Sequence, residues 1–250
     1  MGKCINNIFF KISTVFVFFA FIGIVNAKTI QISVGWTKPP YVIEADNSGF
    51  EIDMLRSIFK SMGHELDIIY TPFGRSHTLL MKGVVDIGMT LSSRLNIAPA
   101  VFSDSYITYR NVAISLKGRG LSLNKMSKLS KYSVAAFQNA RIYLGEEYLR
   151  AVDESSFYVE LPDQQKQVAM LLLGRIDVVV MDINIFNYLS KEQLGKDHMV
   201  NVDVHRLFPA TQYHLGLLDE KLKDQFNKEL IKFKNSPDYQ LLINKYHFIQ

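Results

Sequence analysis

From residue 28 onward the apolar positions follow two alternating rhythms. TIQISVGW at 29–36 reads as a strand, and FEIDMLRSIFKSMG at 50–63 then puts Ile52, Leu55, Phe59 and Met62 on one side of a helix stopped by Gly63. ELDIIY at 65–70 is the next strand. A helix in HTLLMK (77–82), a stop at Gly83 and a strand in VVDIGM (84–89) follow. The phrase then recurs as LLLGRIDVVVMD at 171–182. There Pro162-Asp163 opens a helix bearing Val168, Leu171 and Leu172, Gly174 supplies the left-handed residue that ends it, and IDVVVM runs on as a buried strand. Between the copies, KYSVAAF (131–137) reads as a strand, QNARIYLGEEYLRAV (138–152) as one helix and SFYVEL (156–161) as a strand.

Continuous apolar strand runs suit a parallel sheet covered by helices on both faces. The order β-α-β-α-β occurs twice, so the pattern predicts an α/β fold of two lobes, each a mostly parallel sheet flanked by helices. Ligands of such sheets gather outside the carboxyl ends of the strands. Thr90 and Asp182 close the two repeated strands, so each lobe is expected to build one wall of a shared cleft. Asp86 and Asp177, at the strand starts, read as structural. Asp182 has two readings: a cleft residue, or the N-cap of a helix in MDINIFNYL.

The N-terminus changes the compartment. Lys3 and Lys11 precede an apolar run from Val15 to Val25, and Val25-Asn26-Ala27 offers small residues before a cut after Ala27. Residues 1–27 therefore read as a cleaved signal peptide, the apolar run being shorter than the roughly 20 residues of a membrane span. A periplasmic location follows. The only cysteine, Cys4, lies in that leader, so the mature chain has neither disulfides nor thiolate metal sites. Without Lys3 and Lys11 the formal charge falls from +4 to +2. The basic residues are scattered, which argues against a nucleic-acid partner. The six histidines show no H-E-x-x-H spacing and no G-x-S-x-G elbow occurs, so neither a metal nor a cofactor is expected, and no dedicated catalytic set.

GWTKPPYVI, SGFEIDML, MKGVVDIGMTLSSR, FSDSYI, VAAFQNA and LLLGRIDVVVMD together resemble, in order, the landmarks of the bacterial extracellular solute-binding proteins of the amino-acid-binding type (family 3). The C-terminal stretch from Tyr213 to His247 is similar to that family's last strand and helices. The resemblance implies a periplasmic-binding-protein type II fold with two hinge crossings, near NVAISLKG (111–118) and ATQYHLGL (210–217). Lobe 1 would be 28–114 plus 213–250 and lobe 2 115–212. It implies a monomeric receptor for a small polar, zwitterionic or carboxylate-bearing ligand, handed to a membrane transporter permease or to a sensor in trans. Carried over residue by residue, Tyr41 and Phe73 resemble lobe-1 aromatics near the ligand, and Trp36 is a further candidate wall. Arg94 resembles the arginine that clamps a ligand carboxylate, although TLSSRLNIAPAVFSD departs from the family's spacing and leaves Arg75 as the substitute. Thr90 and Ser92 would donate hydroxyl hydrogen bonds beside it, the alternative for both being turn chemistry. Gln138 and Asn139, just ahead of a helix, would meet the ligand from lobe 2, and Asp182 would hold its ammonium group. Two other readings stay open. One is an exported lyase or dehydratase in which Glu44, Asp182 or a histidine moves a proton; the other is a ligand-sensing protein signalling to a membrane partner.

Overall fold

The computed structural model describes residues 28–35, 37–72, 74–194 and 199–249. The expected leader, Trp36 and Phe73 lie outside the described residues.

The first sheet is built from β1 (Lys28–Gly35), β2 (His64–Thr71), β3 (Ile87–Leu91), β4 (Val101–Phe102), β5 (Ile107–Tyr109) and β11 (Thr211–Leu217), in the order β2-β1-β3-β11-β4 with β5 paired to β11. The second holds β6 (Asn111–Leu116), β7 (Val134–Phe137), β8 (Tyr158–Leu161), β9 (Val178–Asp182) and β10 (Val202–His205), in the order β10-β6-β9-β7-β8. β1 runs parallel to β2 and β3, and β7 parallel to β8 and β9. The returning strands β11 and β6 are antiparallel to β3 and β9. The chain leaves the first sheet between Tyr109 and Asn111 and re-enters it between His205 and Thr211. The crossings expected at 111–118 and 210–217 thus fall on β6 and β11, each of which belongs to one sheet only.

The helices are α1 (Phe50–Ser61), α2 (Ser76–Met81), α3 (Ala140–Tyr143), α4 (Glu146–Asp153), α5 (Gln164–Leu172), α6 (Ile183–Leu194), α7 (Glu220–Lys234) and α8 (Pro237–Lys245). Two glycines explain the repeated phrase. Gly83 and Gly174 take φ of 65° and 67°, a region a Cβ disfavours. Each closes its helix with the same pair of bonds: Gly83 N to Leu80 O and Val84 N to Leu79 O after α2, Gly174 N to Leu171 O and Arg175 N to Met170 O after α5. The aspartates that follow also share a task. Asp86 accepts from Gln31 N on β1 at 2.9 Å, and Asp177 from Ser133 N, just ahead of β7, at 3.0 Å. Each ties the start of its own strand, β3 or β9, to the neighbouring strand.

Local patterning misses in two places. The helix expected over 138–152 is two helices, because Gly145, at φ 89°, breaks the chain between α3 and α4. In both copies of the phrase the strand begins only after the aspartate, at Ile87 and at Val178, the residues before it being used in the turn out of the helix.

Burial follows the predicted stripes. Ile30, Ile32 and Val34 of β1 and the whole of β9 are buried, and one apolar cluster runs from the first sheet into the second through Tyr41, Tyr109, Met181 and Phe186. No helix among the described residues is long and apolar enough to cross a membrane.

Candidate functional site

The carboxyl ends of the two sheets meet, and the meeting point is polar. Asp182 ends β9 and caps α6, its Oδ1 accepting from Asn184 N at 2.8 Å and Ile185 N at 3.2 Å. The same oxygen accepts the Tyr41 hydroxyl proton at 2.9 Å, and Oδ2 accepts from Arg110 N at 2.7 Å. Tyr41 lies in the loop beyond β1, so this bond joins the two lobes. Only 2% of Asp182 is exposed. Burial pushes its carboxyl up to about 6, against the pull of those hydrogen bonds. Burial and then the Asp182 charge push the Tyr41 hydroxyl well above its usual range. Tyr41 also stacks on Tyr109 with ring centroids 4.0 Å apart, a contact of about 0.5–1.5 kcal/mol beyond its area.

A second buried carboxylate lies on the first lobe's side. Glu51 opens α1 on the stripe that continues as Leu55 and Ile58, and it is fully buried. Its Oε1 accepts from Tyr109 at 2.6 Å, and its Oε2 from Thr90 Oγ1 at 3.0 Å and from the Tyr106 hydroxyl. Lys38 Nζ stands 3.4 Å from Oε1, 3.2 Å from Thr90 Oγ1 and 5.0 Å from the Tyr109 ring centroid. A buried charge requires such a complete set of partners. Gly49 sets the geometry: with φ at 126°, an added Cβ would lie 2.4 Å from Tyr41 O. That close approach lets Phe50 N reach Pro40 O and Glu51 N reach Tyr41 O, tying the start of α1 to the loop that carries Tyr41.

Thr90 is where β3 turns toward this cluster. It holds φ of 56°, a left-handed conformation costing a non-glycine residue on the order of 1 kcal/mol, and its N–H bonds the Tyr106 hydroxyl at 3.1 Å. Ser92 accepts from Arg94 N at 3.3 Å, the turn role foreseen as its alternative. The side chains of Arg94 and Arg75 are exposed, and neither guanidinium is paired among the described residues.

On the second lobe, the segment beyond β7 holds an anion, and the anion is internal. Glu160 of β8 accepts from Asn139 N at 2.7 Å, Arg141 N at 3.0 Å and the Tyr158 hydroxyl at 2.8 Å. Asn139 takes φ of 65°, and a left-handed residue followed by a helical one aims alternate N–H groups at one point. Gln138 is exposed.

The structure therefore brings Tyr41, Thr90 and Asp182 together at the junction and leaves the side chains of Arg75, Arg94 and Gln138 exposed, without a polar partner among the described residues. Asp182, read both as the partner of a ligand ammonium and as an N-cap, makes the cap bonds, has four protein donors and is 2% exposed. The N–H of Asn139, read as a ligand contact, goes to Glu160. Sequence reasoning missed Lys38, Glu51 and Glu160. The one legible signal among these was Glu51, a carboxylate on an otherwise apolar helical stripe.

Two α/β lobes whose strand ends converge on one polar junction define a two-lobed binding protein of the periplasmic type II fold. The model of the bacterial extracellular solute-binding proteins, family 3, matches residues 30–249, and the chain belongs to that family. No curated protein matches the sequence. Among solved structures it is similar to the GluR0 ligand-binding core in complex with L-glutamate (TM-score 0.71, 16% identity, 88% of this chain and 99% of that one). It is also similar to a histidine kinase sensor domain with similarity to periplasmic binding proteins (0.69, 18%, 88% and 96%). A third is an ABC uptake transporter substrate-binding protein from Streptococcus pneumoniae with bound histidine (0.66, 17%, 87% and 92%).

Proposed function

We propose that this protein is an exported, periplasmic receptor that captures a small polar, amino-acid-like solute between its two lobes and passes it to a membrane transporter. The observation that carries the reading is the Tyr41–Asp182 bond, which brings the carboxyl ends of β1 and β9 into one junction. That is where open α/β sheets receive ligands. Family membership supports the same reading, and the solved relatives with L-glutamate and histidine bound support the ligand class.

In this reading lobe 1 receives the solute's acid group. Thr90, Ser92 and Lys38 lie at or beside the end of β3, and Arg94, with Arg75 as substitute, has a free planar fork suited to a carboxylate. Lobe 2 contributes Gln138 and the half-buried Glu160, which has no ion pair among the described residues and is the carboxylate open to a solute ammonium. Tyr41 and Asp182 act beneath the solute, holding the lobes in register. Closure of one wall over the other selects the bound state.

A thermal-shift panel of amino acids, polyamines and organic acids tests this. A solute present at about a hundred times its dissociation constant adds about 2.7 kcal/mol of apparent stability. At least one amino-acid-like member is expected to raise the midpoint. Stabilisation by none of the amino acids or their close analogues contradicts the proposal.

A further inference from the structure

The second lobe is held by more than the two strand crossings. α8 packs on lobe 1 and ends in a helix stop with an unusual residue in it. His247 N bonds Asn244 O at 3.2 Å and Phe248 N bonds Ile243 O at 2.9 Å, with His247 itself at φ 49° where glycine is the usual occupant. The turn sends Phe248 back against lobe 1, stacked on Phe50 with centroids 4.2 Å apart and edge-on to Tyr41 at 5.1 Å. The segment beyond α8 is therefore fixed to its own lobe.

Its far end is fixed to the other lobe. Ile249 N donates to Asn184 Oδ1 at 2.6 Å, and Asn184 Nδ2 donates back to Ile249 O at 3.3 Å. The side-chain amide of a buried α6 residue thus exchanges both bonds with one backbone residue, as paired antiparallel strands do. Further along α6, Asn187 Nδ2 reaches His247 O at 3.4 Å. Asn184 Nδ2 is also 3.3 Å from the Tyr41 hydroxyl, which joins this contact to the Asp182 junction.

We propose that Tyr246 to Ile249 form a strap, anchored to lobe 1 through Phe248 and buckled to lobe 2 at Asn184, that sets the resting angle between the lobes. Rotation about the strand crossings has to turn at this buckle or undo it. Asn184 is a positioning residue: it fixes the lobes relative to each other without touching the solute. The inference rests on the two-lobed fold and not on any ligand, so it stands or falls separately from the function proposed above.

The test is an interlobe distance, measured without solute. Spin labels on Lys60→Cys (lobe 1) and Lys125→Cys (lobe 2), both exposed positions, are placed in a Cys4→Ser background, which removes the only other thiol. Pulsed electron resonance then compares the parent with Asn184→Leu, which removes the buckle. The expected result is a longer mean distance and a broader distribution in the variant. A distribution with the parent's mean and width overturns the proposal, even where the unfolding midpoint falls, because a merely structural residue lowers stability without moving the lobes. Ile249→Pro deletes the N–H that Asn184 accepts, together with the Ile249 side chain, and leaves α6 intact, so it carries the same test if Asn184→Leu does not fold.

Discussion

Tyr41 donates its hydroxyl proton to Oδ1 of Asp182 at 2.9 Å, across the junction of the two sheets. The pair is buried on both sides, and every other donor to that carboxylate comes from the second lobe's helix α6 or from Arg110 at the crossing. A hydrogen bond to a charged group is worth about 1.5–3 kcal/mol. Tyr41→Phe keeps the ring stacked on Tyr109 and removes this bond together with the longer one the hydroxyl accepts from Asn184 Nδ2 at 3.3 Å. Urea unfolding of the variant should show a loss of about 2 kcal/mol with the denaturant slope unchanged, whereas an unchanged midpoint would mean the bond does not tie the lobes.

The same carboxylate makes stability depend on pH in an uncommon direction. Asp182 is raised to about 6 in the folded protein, above the roughly 3.9 of an unfolded aspartate. Between those values the native state binds more protons than the unfolded state. The contribution is fully present below about pH 3.9 and is lost as pH rises through about 6. The shift corresponds to about 3 kcal/mol. Asp182→Asn cannot titrate. Subtracting its stability change between pH 4 and pH 7 from that of the parent should isolate a fall of about 2 kcal/mol in the parent; parallel pH profiles would contradict it.

Glu51 is expected to be the most costly polar side chain to remove. Its deletion strands Lys38 and leaves the hydroxyls of Thr90, Tyr106 and Tyr109 without their shared acceptor. Breaking a buried ion pair from one side costs about 3–5 kcal/mol. Glu51→Ala should lose stability on that scale in urea, and Glu51→Gln, which keeps an acceptor oxygen, clearly less. A loss below about 1 kcal/mol for Glu51→Ala would show that the cluster does not hold the strand ends.

Glu160 is assigned to the solute's cationic end. Glu160→Gln removes the charge and keeps one of the two oxygens that accept from the Asn139 and Arg141 amides. For a solute bearing an ammonium group, calorimetric affinity should fall about tenfold or more, with little change for an analogue in which that group is acetylated. Equal losses for both solutes would point to a disturbed loop instead of a lost charge partner.

What could be read in advance, and what could not, follows from the range of each interaction. The helix, glycine, strand phrase was legible because its cause is local: Gly83 and Gly174 end helices by bonds reaching five residues back or fewer, and Asp86 and Asp177 need only a neighbouring strand. The break at Gly145 was hidden by helical periodicity on either side of it. Asp182 was legible as a strand end and an N-cap. Its fourth donor, however, comes from Tyr41, a residue 141 positions away. Glu51 and Glu160 belong to the same class: a carboxylate becomes a site residue only through the hydroxyls and amides that tertiary packing brings to it. The fold is thus written mostly in short-range patterns. The site is written mostly in pairings between distant residues.

In the proposed function a solute is held by both lobes at the strand ends. Hydrogen exchange with and without the solute found in the thermal panel tests it most directly. Slowed exchange in the segments around Thr90–Arg94 and Gln138–Arg141 together is the predicted result. Protection confined to one lobe, or to an outer helical face such as that of α4 or α7, would contradict the account.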